Sequence, residues 1–276
     1  MPGTLTLVGT PIGNLSDFSP RAVEALEACD FIAAEDTRVS LTLLNHFGIR
    51  KPLISYFEHN KRERGEAICR KLEDGENAVL VTDAGMPAIS DPGEDLVALC
   101  HERGIPVTVI PGPSAGISAL AVSGLPTARF TFEGFLSANR RDRRERLESL
   151  KAEQRTMVFY EAPHKLLGTL EDLLSAFGER RICLARELTK LHEEIVRTTL
   201  TEALTRYRDA APRGEFVLVI EGAAPAADTP CTLEEAAVIA RAYVGEGLST
   251  SDAAKKAAAE TGVKKGDIYR LLTKEA

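Results

Sequence analysis

The chain has 276 residues, of which 44% are apolar and 27% charged, and its formal net charge at pH 7 is −7. This length favours two lobes over one compact core, and the composition is that of an ordinary globular protein. No apolar run approaches the roughly 20 residues that span a bilayer, and the N-terminus lacks the features of a signal peptide, so no membrane partner is expected. The five cysteines form no CxxC pair, which argues against a zinc site or disulfide framework and favours a reducing, cytoplasmic setting.

The first 124 residues alternate strand and helix patterns. Strands are predicted at 4–8, 31–34, 53–56, 78–82 and 106–110, and helices at 19–28, 39–47, 60–74, 93–103 and 114–123. Ser19-Pro20 has the pattern of a helix start, and Gly48 and Gly75 follow two helix ends. The short connections predict a mostly parallel sheet covered on both faces, and hence an N-terminal α/β lobe over residues 1–124.

After Gly124-Leu-Pro126, the pattern predicts a second α/β lobe over residues 125–222, with hairpins among its strands. Strands are predicted at 130–135, 156–160, 181–186 and 216–221, and helices at 163–177 and 201–210. Within this lobe, residues 137–155 carry seven basic and four acidic side chains, a local net charge of +3. Such a segment either contacts phosphates or is a solvated helix with internal charge pairs, and composition slightly favours the second interpretation.

Residues 223–232 have the composition of a linker, and residues 233–276 are predicted to form a helical extension. Within the extension, residues 251–272 have the spacing of a helix-turn-helix whose second helix covers about 265–273. Such a pair can approach nucleic acid or serve only as a packing module. The pattern alone leaves both alternatives open.

Three predicted strands are followed by loops rich in glycine and proline, over 9–13, 83–93 and 111–116. In α/β proteins, ligands bind at the carboxyl ends of strands, so these loops are expected to line one crevice. GxGxxG and GxxxxGK[ST] sequences are absent, which disfavours dinucleotides and P-loop nucleotides. The loops suit a ligand with hydroxyls, an adenine-like ring or a cationic group. Asp83 and Ser114 would either contact that ligand or cap local backbone amides.

Polar side chains also gather at other predicted strand ends. Ala34-Glu-Asp-Thr-Arg38 places two carboxylates beside a guanidinium, which can tune a general base or simply hold a strand-to-helix corner. Tyr160-Glu-Ala-Pro-His-Lys165 and Arg186-Glu-Leu-Thr-Lys190 are denser in polar groups than most strand ends. If these segments face one cleft, the site is a carboxylate-rich pocket between the lobes.

Seven motifs in this order resemble the tetrapyrrole-methylase-like family of S-adenosylmethionine-dependent enzymes, and within it the enzymes that 2′-O-methylate a cytidine of 16S rRNA in the decoding centre. The motifs cover 9–15, 34–38, 83–93, 110–115, 132–136, 159–164 and 185–190. The resemblance extends over about residues 3–222, and the helical tail resembles the C-terminal extension of those enzymes. It implies two α/β lobes of the tetrapyrrole methylase type, a cofactor cleft between them and a small helix-turn-helix-like extension.

The resemblance also implies a homodimer that acts on 16S rRNA or the small ribosomal subunit with S-adenosylmethionine and without a metal. Carried over by position, the cofactor contacts would be Pro11, Asp83, Ala84, Gly85, Met86, Ile89, Ser114, Ala115, Tyr160, Leu188 and Gly214. A ribose hydroxyl is a poor nucleophile when neutral, so a base or a stabilising cation is expected. We hypothesise that Glu35 or Asp36 is the base or hydroxyl orienter, with Arg38 and Lys190 holding phosphate or the developing oxyanion.

Two alternatives stand beside this interpretation. One is a methyltransferase for a corrinoid or sirohaem precursor on the same fold, and the other is a nucleic-acid-binding regulator with an inactive pocket. The Glu35–Arg38 cluster, the arginines of 140–146 and the C-terminal helices suit a polyanionic RNA better than a macrocycle.

Overall fold

The computed structural model describes residues 1–208, 212–225 and 231–274, which form two compact units, Met1–Ala223 and Ala224–Ala276. Three predicted features fall partly outside the described residues: the end of the 201–210 helix, the middle of the 223–232 linker and the last two residues of the extension. No described helix is long and apolar enough to cross a membrane.

The first sheet has five parallel strands in the order β3-β2-β4-β1-β5. They are β1 Leu5–Val8, β2 Phe31–Ala34, β3 Leu53–Ser55, β4 Ala78–Val81 and β5 Val107–Ile110. The connecting helices are α1 Pro20–Ala28, α2 Thr37–His46, α3 Lys61–Glu73 and α4 Glu94–Glu102. Strands β2 and β4 are buried along their whole length, because α1 and α2 cover one face of the sheet and α3 and α4 the other.

Local signals explain where these helices begin. The Ser19 hydroxyl accepts a hydrogen bond from the Ala22 amide at 3.2 Å, and Pro20 occupies the first helical position of α1. Helix α2 begins at Thr37, two residues earlier than the pattern predicts, because the Asp36 carboxylate caps it by accepting from the Arg38 amide at 2.8 Å.

The next helix, α5 (Ala115–Val122), packs on the second sheet although it directly follows the last strand of the first. Ala119 and Leu120 lie in one apolar cluster with Val158, Cys183 and Val219 of the second sheet. The chain therefore passes from the first sheet to the second before Ala115, and the boundary proposed at residue 124 falls after this helix.

The second sheet has five strands in the order β6-β7-β10-β8-β9, of which only β6 and β7 are parallel neighbours. The strands are β6 Phe130–Phe135, β7 Thr156–Glu161, β8 Arg181–Arg186, β9 Glu194–Thr199 and β10 Phe216–Ile220. Its helices α6 Arg140–Leu150, α7 Leu166–Phe177 and α8 Leu200–Arg208 pack on the face opposite α5. The prediction of two α/β lobes is confirmed, but β9 was not predicted, because this partly exposed edge strand contains the charged residues Glu194 and Arg197.

The second unit consists of α9 Leu233–Gly245, α10 Thr250–Thr261 and α11 Lys265–Lys274, which confirms the helical extension. Thr232 and Glu235 form a capping box at the start of α9, and Gly262, with φ of 70°, ends α10 in the left-handed conformation. The three helices share a small core made mainly of alanine, with Ile268 and Leu272 from α11.

Candidate functional site

A cleft of about 590 Å³ lies at the strand ends of the first unit, and both sheets contribute to its walls. This volume is within the range of small-molecule and cofactor sites. On one side, its walls are formed by Ile12, Glu35, the loop that follows β4, Ser114 and Ala115. On the other side, they are formed by the ends of β6, β7 and β8, the loops that follow β7 and β8, and the start of β10 with the residue before it.

The three glycine- and proline-rich loops converge at this cleft. Thr10 and Gly85 exchange two backbone hydrogen bonds of 2.9 and 3.1 Å. A Cβ atom on Gly9 would lie 2.6 Å from the Met86 sulfur and 2.7 Å from the Gly112 Cα, so only glycine fits there. The loops therefore meet, as the sequence predicts.

Strained backbone is concentrated beside the cleft. Among the described residues, those other than glycine with positive φ are Ala88, Ser90, Glu187 and Thr189, at 51–68°. All four lie in the loops that follow β4 and β8. Side chains other than glycine rarely adopt this conformation, and such strain is typical of ligand-binding loops.

One wall of the cleft carries three carboxylates. The Thr82 hydroxyl donates to Glu35 Oε2 at 2.5 Å, and Asp83 Oδ1 accepts from the Asp36 amide at 3.1 Å. Burial, helped by the charge of Glu35, raises the pKa of Asp91 to about 6, against the opposing effect of a hydrogen bond with Thr82. Burial also raises the pKa of Asp83. This wall is a set of hydrogen-bond acceptors in a partly desolvated position.

The opposite wall is apolar and aromatic. The Tyr160 hydroxyl accepts a hydrogen bond from the Gly116 amide at 3.1 Å, which joins β7 to α5 across the cleft floor. The Tyr160 ring packs against Phe132 and Phe135 at centroid distances of 5.1 and 5.4 Å. Burial raises the pKa of Tyr160, so the hydroxyl stays neutral. The Tyr160 and Phe135 rings line the cleft and form a surface suited to a flat apolar ligand group.

Lys190 connects the two lobes of the cleft. Its Nζ donates to Glu187 Oε1 at 2.8 Å and to Glu215 Oε2 at 2.9 Å. A Cβ atom on Gly13 would lie 2.4 Å from the Lys190 Cγ, so the lysine stem lies directly on the loop after β1. Although burial opposes it, pairing with the two glutamates raises the pKa of Lys190, and the lysine stays charged.

The structure brings together most of the predicted site residues. Asp83, Ala84, Gly85, Met86, Ile89, Ser114, Ala115, Tyr160 and Leu188 line the cleft, as do Glu35 and Lys190. Pro11 and Gly214 are not part of its walls, although their neighbours Ile12 and Glu215 are.

Asp36 and Arg38 also lie outside the cleft walls. Arg38 binds the Asp36 carboxylate with two nitrogens at 3.0 and 2.6 Å, and its side chain is 89% exposed. Arg38 thereby lowers the pKa of Asp36 to about 2. This pair holds the corner between β2 and α2, which is the structural alternative left open by the sequence.

Sequence reasoning gave no individual role to several cleft residues: Thr82, and also Asp91, Phe135, Glu161 and His164, which lie within motifs or polar segments that it did name. Asp91 lies within the 83–93 motif, but nothing in the motif indicates that its carboxylate turns into the cleft as that of Asp83 does. Glu161 is buried and accepts hydrogen bonds from the Ala162 amide and the Thr169 hydroxyl, so its role here is to fix the end of β7.

The arginines of α6 are largely engaged in ion pairs. The side chain of Asp172 is 3% exposed. Its carboxylate oxygens form ion pairs with an Arg143 nitrogen at 2.7 Å and with the Arg144 Nε at 3.0 Å. Arg146 pairs with Glu133 and Arg141 with Glu145. Arg143 is itself mostly buried, so it is a structural residue, whereas Arg141 is 85% exposed.

The donors and acceptors of the cleft fit S-adenosylmethionine. Among the described residues, no lysine, arginine or histidine pairs with Glu35, Asp83 or Asp91, so these carboxylates can receive a cationic or hydroxyl-bearing ligand. The aromatic wall provides a surface for an adenine ring. The described part of the chain contains no group of three or more side chains arranged to hold a metal ion.

Comparisons with known proteins define the class. Residues 4–204 match the family model for tetrapyrrole (corrin/porphyrin) methylases. Among solved structures, uroporphyrin-III-C-methyltransferase of Thermus thermophilus covers 79% of this chain and 94% of its own, with a TM-score of 0.56 and 19% identity. The methyltransferase CobJ covers 80% and 95%, with a TM-score of 0.59 and 21% identity. The chain belongs to the tetrapyrrole methylase family, and these structures share its fold.

Curated relatives identify the group within that family, and they are named ribosomal RNA small subunit methyltransferase I. The Synechocystis relative is 49% identical over 98% of this chain and 97% of its own length. The Escherichia coli O157:H7 relative is 45% identical over 99% and 96%. The Thermotoga maritima relative is 48% identical, and the alignment spans 99% of its own length but 80% of this chain. These names confirm the resemblance to methyltransferases of the small-subunit ribosomal RNA that the seven sequence motifs indicate.

Proposed function

We propose that this protein transfers a methyl group from S-adenosylmethionine to the ribose 2′-hydroxyl of a cytidine in 16S rRNA, in the decoding centre of the small ribosomal subunit. The observation that carries the proposal is the shared name of relatives that are 41–49% identical over nearly the whole chain. The cleft supports it because its acceptors suit a cationic, hydroxyl-bearing cofactor. A polyphosphate would meet three carboxylates there.

In this proposal the loop 83–89, Ser114, Ala115, Tyr160 and Leu188 hold the cofactor, with Pro11 and Gly214 positioning the adjoining wall residues. Bound S-adenosylmethionine supplies a methyl group activated by its sulfonium. The acidic wall, formed by the carboxylates of Glu35, Asp83 and Asp91, binds the cationic and hydroxyl groups of the cofactor. The rings around Tyr160 hold its adenine base and exclude water.

Glu35 is the proposed base or orienter of the ribose hydroxyl, since its carboxylate lines the cleft and is fixed by the Thr82 hydroxyl. The geometry favours Glu35 over Asp36, whose two carboxylate oxygens both bind Arg38. Arg38, exposed beside the cleft, is proposed to contact an RNA phosphate. Lys190 is proposed to stabilise the developing oxyanion or a phosphate.

These roles can be tested with Glu35→Gln and Asp36→Asn. Loss of a general base lowers the methylation rate by roughly 10²–10⁴-fold. We expect a decrease of this size for Glu35→Gln in single-turnover assays at saturating cofactor, and a much smaller decrease for Asp36→Asn. Equal rates for Glu35→Gln and the unaltered chain would contradict the assignment.

The substrate can be identified by supplying methyl-labelled S-adenosylmethionine together with small ribosomal subunits, free 16S rRNA and a tetrapyrrole precursor. Label should enter the RNA at one cytidine, and the adjoining phosphodiester should resist alkaline cleavage because the 2′-oxygen is blocked. The same mixture shows whether free rRNA or the assembled subunit is preferred. Labelled tetrapyrrole beside unlabelled RNA would overturn the proposal in favour of the macrocycle alternative.

We further propose that the protein is a homodimer formed through β5, α5 and β6. This surface exposes apolar side chains on three consecutive elements: Val107 (38%), Val109 (49%), Ile117 (54%), Phe130 (37%) and Phe132 (38%). Exposed apolar groups of this size are typical of subunit interfaces. Ile117→Lys should convert the dimer to a monomer in sedimentation experiments, whereas Val238→Lys, at an equally exposed site on α9, should not. A dimer that survives Ile117→Lys would refute this interface.

The proposed compartment is the cytoplasm, where ribosomal subunits and reduced thiols are found. All five cysteines are free, and four of them are buried. The Cys69 and Cys100 sulfurs lie 3.9 Å apart in the core of the first sheet without a bond, as expected for a reducing setting.

A further inference from the structure

The second unit has the features of an independent helix-turn-helix module. Its three helices share their own apolar core. A three-residue turn over 262–264, with Gly262 at its first position, joins α10 to α11. A short glycine-containing turn between two packed helices is the geometry used by nucleic-acid-binding modules of this kind.

Charge in this unit is concentrated on α10 and α11. Residues 251–274 hold six basic and three acidic side chains, a net charge of +3 in a chain of −7. Lys255, Lys264 and Lys274 are exposed. Among the described residues, the side chains of these three lysines have no ion-pair or hydrogen-bond partner. Unpaired ammonium groups that remain in water are available to phosphates.

The other cations of the two helices are held by the unit itself. Lys256 lies 3.9 Å from the centroid of the Tyr243 ring, and Lys265 donates to the Ser251 hydroxyl at 3.1 Å. Arg270 pairs with Asp267. Tyr269, on α11 next to Arg270, is 42% exposed, and an exposed aromatic ring can stack on a base.

The comparison with Thermotoga maritima indicates that this unit is an accessory. The relative from this organism aligns with the chain over 220 residues, which are 99% of its own length. This length matches that of the first unit, Met1–Ala223. A protein of that length carries the same name, so the cleft-bearing unit is sufficient for the shared function and the additional helices serve a separate step.

We propose that the α10–α11 surface is an RNA-docking site, in which Lys255, Lys264 and Lys274 contact backbone phosphates and Tyr269 stacks on an unpaired base. The choice of RNA rests on the proposed function, and the charge and the turn geometry point to nucleic acid independently of it. The unit raises the affinity for the substrate, while cofactor binding and the methyl-transfer step belong to the first unit.

The test is RNA affinity across a salt series, measured on the full chain with a 16S rRNA fragment that contains the decoding region. Each phosphate contact on single-stranded nucleic acid contributes about 0.7 to the slope of log K against log salt. The triple variant Lys255→Gln/Lys264→Gln/Lys274→Gln should therefore lower the slope by about 2 and the affinity about tenfold or more near 0.1 M salt. Tyr269→Leu should weaken binding about tenfold without changing the slope, because stacking releases no counterions.

The matched control is Arg21→Gln/Arg62→Gln/Arg64→Gln, which removes three exposed cations from the first unit with the same change in net charge. We expect its salt slope to be that of the unaltered chain. An equal loss in this control, or unchanged binding by the α10–α11 variants, would overturn the proposal. Equal loss for duplex DNA of the same length would replace RNA docking by general nucleic-acid binding.

Failure of the proposed function gives a different result. If no RNA is methylated but the α10–α11 variants still lose RNA binding, the docking site stands and the reaction must be reassigned. If the variants methylate and bind RNA normally, the reaction stands and the docking site is wrong. Calorimetric affinity for S-adenosylmethionine should be unchanged in every variant.

Discussion

Ionisation of Asp91 should lower the free energy of unfolding as pH rises, and Asp91→Asn should remove that effect. Its pKa is raised by burial from 3.8 to about 6. The folded protein therefore holds this proton more tightly than the unfolded chain does. The stability that it contributes is complete below about pH 4 and is lost as pH rises through about 6.

The size of this effect follows from the pKa shift. Two units at about 1.4 kcal/mol each give an upper bound of roughly 3 kcal/mol, and solvent at the cleft mouth reduces it to about 1–3 kcal/mol. Asparagine keeps the size of the side chain and its capacity to hydrogen-bond Thr82, but it never carries the charge. Asp91→Asn should therefore be more stable than the unaltered chain above pH 6.5.

The measurement is urea unfolding followed by far-UV circular dichroism between pH 4 and 8, since the chain has no tryptophan. Only the difference between the two proteins matters, because other titrating groups cancel in it. That difference should grow from pH 4 to 6.5 and then stay constant. The matched control is Asp74→Asn, a change of the same kind at an exposed position at the end of α3.

Two results would refute this reasoning. One is an Asp91→Asn protein that is less stable than the unaltered chain at pH 7.5, and the other is a stability difference that does not change with pH. The same variant also tests the acidic wall as a cation-binding surface. Calorimetry at pH 7.5 should show S-adenosylmethionine affinity reduced by about tenfold, so stability and binding should change in opposite directions.

Two further predictions follow from close contacts. Gly9→Ala would place a Cβ 2.7 Å from the Gly112 Cα, a backbone atom that cannot shift without distorting the loop. Cofactor affinity measured by calorimetry should therefore fall at least tenfold. Normal affinity would show that the loops are not rigidly joined. Arg143→Gln removes a partner of the buried Asp172 and should cost about 1–3 kcal/mol in urea unfolding, whereas Arg141→Gln, on the exposed side, should cost under 0.5 kcal/mol; equal effects would contradict the structural role of Arg143.

Much of the fold was predictable because its signals are local. The apolar run Ala78–Val81 and the cap Ser19-Pro20 each specify an element from a few adjacent residues. Strand β9 was not predictable in this way, since Glu194–Thr199 obtains its structure by pairing with β8 and shows little apolar run of its own.

The site was predictable only in outline, for the same reason. Glycine and proline after the strands indicated the correct loops around Asp83. The acidic wall depends on the parallel pairing of β2 with β4, which aligns Ala34 with Val81 and so brings Glu35 against Thr82, 47 residues away. No local pattern distinguishes Glu35, which turns into the cleft, from Asp36, which turns away to cap α2.

Helix α5 also limits how the cleft can move. Its first residue, Ala115, forms part of the cleft wall, and its buried face packs against the second sheet, so α5 belongs to the second sheet although the chain enters it directly from the first. Rotation of one sheet away from the other would have to bend the loop 111–114, in which Gly112 lies tightly against Gly9. We therefore expect the cleft to be preformed. Entry and exit of ligands should depend on movement of the strained loops after β4 and β8, which can shift while the two sheets stay in place.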